Sequence, residues 1–190
     1  MWIDSHTHVT ASEFDADRPL VMERARAAGV EAFVAIGAGW GIDANAAAVG
    51  EGWLGAAKGL RDHVFIALGT GIGAGIVLDG RLHRGSHFLA GEVAFFPMTR
   101  DQLRAGDWQH CLEGQVGGRA AALKAAELLG QHAKAADLFD AAKAGDAAAS
   151  AWLAETQEYL AMAVADIAAL LDPQAVVFGG GVSAAQGEWF

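Results

Sequence analysis

Cysteine, cations and long apolar runs are all scarce in this chain, and each shortage removes a class of protein. A single cysteine, Cys111, rules out an intramolecular disulfide and fits a reducing compartment. Lys and Arg total 13 against 23 Asp and Glu, for a net charge of −10, with no basic cluster. Binding to nucleic acid needs concentrated positive charge, so no nucleic-acid partner is expected. Gly, Asp or Lys interrupts every apolar stretch within a few residues, so no membrane span or membrane partner is expected. "MWIDSHTHV" has neither a basic start nor an apolar segment of the kind a secretory leader carries, and the expected location is the cytoplasm. What is present is 190 residues at 53% hydrophobic, enough for one core of ordinary domain size with a small appendage.

Along the chain, residues 1–37 read as strand, helix, strand. "RPLVMERARAAGV" has Pro near its start, apolar residues at helical spacing and a Gly stop, and "VEAFVAIG" is a second strand. Residues 44–60 are Ala-rich and look helical. Residues 119–129, 133–144 and 146–171 predict three more helices, the last with a stripe of Trp152, Leu153, Leu160, Met162, Ile167, Leu170 and Leu171. Asp172-Pro173 ends it, and "AVVFGGG" is a last strand. The segment around residues 107–111 reads as a polar loop.

"VFIALGTGIGAGIVLDGRL", residues 64–82, joins two apolar strands through a glycine cluster. Asp79-Gly80 then suits a two-residue type I′ hairpin turn. A glycine turn lets backbone N–H groups approach a phosphate with no Cβ in the way. Alone, such glycines mostly just permit a turn, so the neighbouring sequence has to decide.

Five blocks, in order, bear on that decision: "DANAAAVGEGWLGAAKG", "LGTGIGAGIVLDGRLHRGSH", "LAGEVAFFPM", "HCLEGQVGGRAA" and "IAALLDPQAVVFGGGVS". Together they make residues 43–183 resemble the ROK family of sugar kinases and kinase-derived repressors. Residues 1–42, "IDSHTHVTASEFDADRPLVMERARAAGVEAFVAIGAG" in the main, instead resemble the start of TatD-type metal-dependent hydrolases. The chain therefore reads as a junction: a TatD-like β-α-β segment over 1–42 and a ROK-like lobe over 43–190, incomplete at its C-terminus.

The ROK resemblance implies an α/β fold, a partial actin-like (ribonuclease-H-like) ATPase lobe. It implies that Asp43 is the catalytic base and a sugar contact; a helix N-cap is the plainer reading of the same residue, and both can hold. By the same resemblance Gly69, Thr70, Gly71 and Gly73 form the second phosphate loop, and Gly179, Gly180, Gly181 and Ser183 the nucleotide side. Glu92 and Glu113 become sugar-hydroxyl ligands, with a strand-end carboxylate and a helix start as their plainer readings. ATP with Mg²⁺ is the implied co-substrate, and a sugar and a nucleotide the implied small-molecule partners. Two positions depart from the family pattern: Ile42 replaces a sugar-binding Asn, and Phe95 replaces a His that the family uses in its sugar-binding block and its zinc pattern. With Cys111 the single cysteine, four zinc ligands cannot be assembled and no structural zinc is expected. Cys111 and His110 then read as packing residues of a loop.

His6 and His8 sit two apart, so on a strand they share a face, as the TatD-like metal pair does. A (β/α)8 barrel needs about 250 residues, so a complete hydrolase site is not expected. The leading function is ATP-dependent phosphorylation of a hexose or N-acetylhexosamine, impaired or absent in this chain. The alternatives are a TatD-like metal-dependent hydrolase or nuclease fragment and a non-catalytic truncated fusion. No helix-turn-helix precedes the kinase-like part, so repression is not expected, and homo-oligomerisation stays open.

Overall fold

The computed structural model describes residues 2–7, 18–28, 30–35, 42–105 and 111–185. Near the N-terminus, β1 (Trp2–Thr7) and β2 (Val30–Ala35) flank α1 (Arg18–Ala27), and the strands pair in parallel with Trp2 opposite Val30 and Asp4 opposite Phe33. This is the expected strand-helix-strand unit. The opening of a (β/α)8 barrel, expected from the TatD resemblance, is not supported. The described strands form one sheet of two and one of four, and β1 and β2 make up the smaller sheet. A right-handed β-α-β unit is common to many parallel arrangements, so it does not by itself announce a barrel.

The larger sheet has the order β5-β4-β3-β6. β3 (His63–Leu68) and β4 (Ile72–Leu78) form an antiparallel hairpin around the glycine cluster, from His63 opposite Val77 to Leu68 opposite Ile72. Asp79 at φ 53° and Gly80 at φ 74° turn β4 into β5 (Arg81–His83). Both central residues lie at positive φ, as the type I′ turn requires. β6 (Ala175–Gly179) returns parallel to β3, with Ala67 opposite Gly179.

One face of this sheet carries α2 (Ile42–Leu54). Close approach depends on Gly75: a Cβ there would lie 2.6 Å from the Ala48 methyl and would strike the Ala44 carbonyl. Buried His63 hydrogen-bonds through Nε2 to the Ala48 carbonyl at 3.0 Å and fastens the same helix to β3. α2 stops at Leu54, short of the expected residue 60, because Gly55 follows and Gly59 takes φ +84°.

The other face packs on α7 (Ala147–Leu171), whose N-terminus is capped by Asp146, accepting the Ala149 N–H at 2.9 Å. Its Leu153, Leu160 and Ile167 join Val64, Ile66 and Leu68 in the main core. Each such fully buried side chain contributes roughly 1.5–3 kcal/mol. Met162 and Leu170, expected in the stripe, are instead exposed at 46% and 78%, since they fall on other faces of the helix. α5 (Gly118–Leu129) and α6 (Ala135–Lys143) complete the layer. Three short helices were not legible from periodicity: α3 (Arg100–Ala105), α4 (Leu112–Val116) and α8 (Gly181–Ala185). No helix among the described residues is long and apolar enough to cross a membrane.

Candidate functional site

Because β3 and β6 run parallel as neighbours, their C-terminal ends release two glycine turns side by side. The first is Gly69-Thr70-Gly71, closed by the Gly69 N–H donating to the Gly71 carbonyl at 2.9 Å. The second is Gly179-Gly180-Gly181, with Gly180 at φ +106° so close to β3 that a Cβ would strike the Leu68 carbonyl. Ser183, in α8, donates its hydroxyl to the Gly180 carbonyl at 2.8 Å and braces that turn. The predicted phosphate-loop and nucleotide-side residues therefore meet at one sheet edge. Gly73 is the exception within that set. It lies inside β4 opposite Ala67, where a Cβ would come within 3.7 Å of the methyl of Ala44 in α2, so the turn proper ends at Gly71.

Sequence reading missed a third glycine pair at this edge. Gly118 donates its N–H to the Gly69 carbonyl at 2.8 Å, and Arg119 donates to the Thr70 carbonyl at 2.9 Å. A Cβ on Gly117 would lie 3.1 Å from the Thr70 carbonyl, and one on Gly118 would lie 2.7 Å from the Gly69 carbonyl. The first N–H groups of α5, which no helical carbonyl can satisfy, thus fix the turn by its carbonyls. "GQVGGR" carried the only available signal, two glycines ahead of an Ala-rich helix.

Asp43 is the second residue of α2, inside the first turn and not at the N-cap, and its side chain lies outside the described residues. Its helix start is placed over β4 by Ala44, whose carbonyl closely approaches Gly75. Glu92 precedes a single 3₁₀ turn, Val93–Phe95, rather than ending a strand. Gly91, at φ +90°, clamps this loop to β4: the Ala74 N–H donates to the Gly91 carbonyl at 2.8 Å. Among the described residues, Glu92 is the one charged residue on a groove walled by Ile76, Leu89, Phe96, Ile167 and Leu170. Burial there, followed by the charge of Glu113, pushes its carboxyl above the usual value.

Glu113 lies in α4, held down by fully buried Leu112 and Val116. One carboxylate oxygen accepts the Ile72 N–H at 3.1 Å, directly after the first glycine turn. Glu113 thus lies against the first turn, and its charge is felt at Glu92.

Phe95 is 43% exposed, and Cys111 is buried at 9%. His110 and His8 lie outside the described residues; His6 is in β1, with nothing described of its side chain. Among the described residues, no three His, Cys, Asp or Glu side chains gather as a metal site.

A model of the ROK family matches residues 19–188 of the chain. The chain is 42% identical over 146 residues to the bifunctional enzyme NanE/NanK of Brucella suis biovar 1, covering 76% of this chain and 26% of that protein. It is 35% identical over 160 residues to a glucokinase of Halalkalibacterium halodurans, covering 75% of this chain and 48% of that one. Among solved structures, a ROK family glucokinase from Streptomyces griseus in complex with glucose and AMPPNP superposes with a TM-score of 0.65 at 32% identity. That superposition covers 88% of this chain and 57% of the glucokinase. The chain thus spans about half the length of the glucokinases it matches, and less of the bifunctional enzyme. The family match begins inside α1, within the segment that reads as TatD-like, and the TatD resemblance finds no support in these comparisons.

Proposed function

Since this chain belongs to the ROK family, we propose that it is a sugar-kinase-like protein acting between ATP and a hexose or N-acetylhexosamine. The observation that carries this reading is the convergence of the Gly69–Gly71 and Gly179–Gly181 turns at the C-terminal ends of β3 and β6, with Glu113 hydrogen-bonded at the end of the first turn and close enough to Glu92 for its charge to be felt there. In this reading the larger sheet and its flanking helices are part of an actin-like ATPase lobe. The turns hold the phosphate chain of Mg-ATP, with Ser183 bracing the nucleotide side. Glu92 and Glu113 accept hydrogen bonds from sugar hydroxyls, and Asp43 takes the proton from the attacking hydroxyl as its oxygen bonds to the γ-phosphorus and ADP leaves. AMPPNP and glucose in the Streptomyces griseus glucokinase support the choice of nucleotide and sugar class.

Transfer is expected to be weak. Phosphoryl transfer depends on positioning from both sides of the phosphate chain, and Ile42 and Phe95 stand where the family pattern has polar groups. Each missing hydrogen bond to a buried substrate hydroxyl costs roughly 1–3 kcal/mol. The test is coupled ADP release with a panel of hexoses and N-acetylhexosamines, comparing the native chain with Asp43→Ala. Slow sugar-dependent release lost in Asp43→Ala supports the reading. Release that ignores sugar, or survives Asp43→Ala unchanged, counts against it. A unit boundary at residue 42 is part of the same proposal, favoured by the two-stranded sheet of β1 and β2, while the family match that begins at residue 19 counts against it.

A further inference from the structure

We propose that Glu113 is a positioning residue for the phosphate-facing turn, in addition to any contact with sugar. Its Oε2 accepts the Ile72 N–H at 3.1 Å, across 41 residues of sequence. Ile72 is the first residue of β4, paired with Leu68 and directly following the Gly69–Gly71 turn. The same carboxylate occupies the space a Gly71 side chain would fill: a Cβ there would strike Oε2. Gly118 and Arg119 hold the opposite, carbonyl side of the turn at 2.8 and 2.9 Å. The turn is thus gripped by its N–H side at Glu113 and by its carbonyls at α5.

Glu113 can serve as an anchor because α4 is itself immobilised. Leu112 and Val116 are fully buried around it, and the Thr156 hydroxyl of α7, which donates to the Trp152 carbonyl at 3.0 Å, packs 3.4 Å from the Gln115 carbonyl. The carboxylate's Oε1 has no protein donor among the described residues, so a substrate hydroxyl can take it without displacing Ile72. A hydrogen bond from a backbone N–H to an ionised carboxylate is about twice as strong as a neutral one, which suits a short turn in which Thr70 alone has a side chain. The consequence for nucleotide affinity rests on the kinase reading; the grip on the turn does not.

Amide hydrogen exchange and titration with Mg-AMPPNP on the full chain test this. Glu113→Ala is expected to speed exchange at Gly69–Ile72 and to weaken Mg-AMPPNP by about tenfold or more, the size of one charge-assisted hydrogen bond. The β3 amides Val64–Ile66 should keep their native rates. Glu113→Gln retains an acceptor oxygen and should stay within about threefold of the native chain in both measurements. Gly71→Ala attacks the same contact from the other side and should speed exchange at the same amides. Unchanged exchange at Ile72 in Glu113→Ala overturns the proposal, and so does a Glu113→Gln effect as large as that of Glu113→Ala. If Glu113→Ala also frees the β3 amides and so unfolds more widely, Glu113→Gln and Gly71→Ala decide. Failure of the native chain to bind Mg-AMPPNP overturns the kinase reading, while the exchange pattern still decides the role of Glu113.

Discussion

Glu92 shows how one side chain records the chemistry around it. Its carboxyl is raised first by burial against an apolar groove wall and then by the charge of Glu113. A raised carboxyl binds its proton more tightly in the folded chain than in the unfolded one. The resulting stability is present at low pH and is lost as pH rises from the ordinary value of 4.5 through the raised one. Glu92→Gln, which stays neutral throughout, should flatten that part of the pH–stability curve. It should also stabilise the chain at pH 8 by less than about 1 kcal/mol, because the group is only partly buried. Urea denaturation at pH 4 and pH 8 measures this; an unchanged slope in Glu92→Gln would assign the pH dependence to another group. Glu113→Gln should lower the Glu92 titration midpoint in a carboxyl-resolved NMR titration, since it removes the second cause.

Helices and strands here are set by close approaches as much as by hydrophobic patterns. α2 reaches β4 through Gly75, where any side chain would meet Ala44 and Ala48. Gly75→Ala should cost about 1–3 kcal/mol, the usual penalty of overpacking, and a shift in the urea midpoint checks it. A change within error would mean that α2 can retreat freely. At the far end of α7, Asp172 holds φ 45° and puts a negative charge at a helix C-terminus. Asp172→Gly removes a left-handed strain and an unfavourable charge–dipole contact, for a gain of about 1 kcal/mol in a thermal melt.

Legibility divides along the same line. Asp79-Gly80 was readable because a type I′ turn is decided by its own two residues. α5, α6 and α7 were readable because their apolar and alanine content repeats over several turns. α3 and α4, at six and five residues, are too short to show a period. The glycine turns at residues 69–71 and 179–181 were legible as a pattern, but the grip of Gly117, Gly118 and Glu113 depends on carbonyls and amides about 40 or more residues away. His6 and His8 did not decide the fold, since a spacing of two only puts both on one face if the segment is a strand; His6 is in β1 and His8 lies outside the described residues.

At the scale of the molecule, a four-stranded mixed sheet carries α2 on one face and the α4–α7 layer on the other, and delivers its glycine turns to one edge. The central claim is that this edge holds the phosphate chain of a nucleotide. Titration of the native chain with Mg-AMPPNP, followed residue by residue through amide hydrogen exchange, tests it most directly. Saturable binding that slows exchange at both Gly69–Gly71 and Gly179–Gly181, with β1 and β2 unaffected, is the expected result. Saturable binding that leaves both turns unprotected, or no binding at millimolar nucleotide, would contradict it.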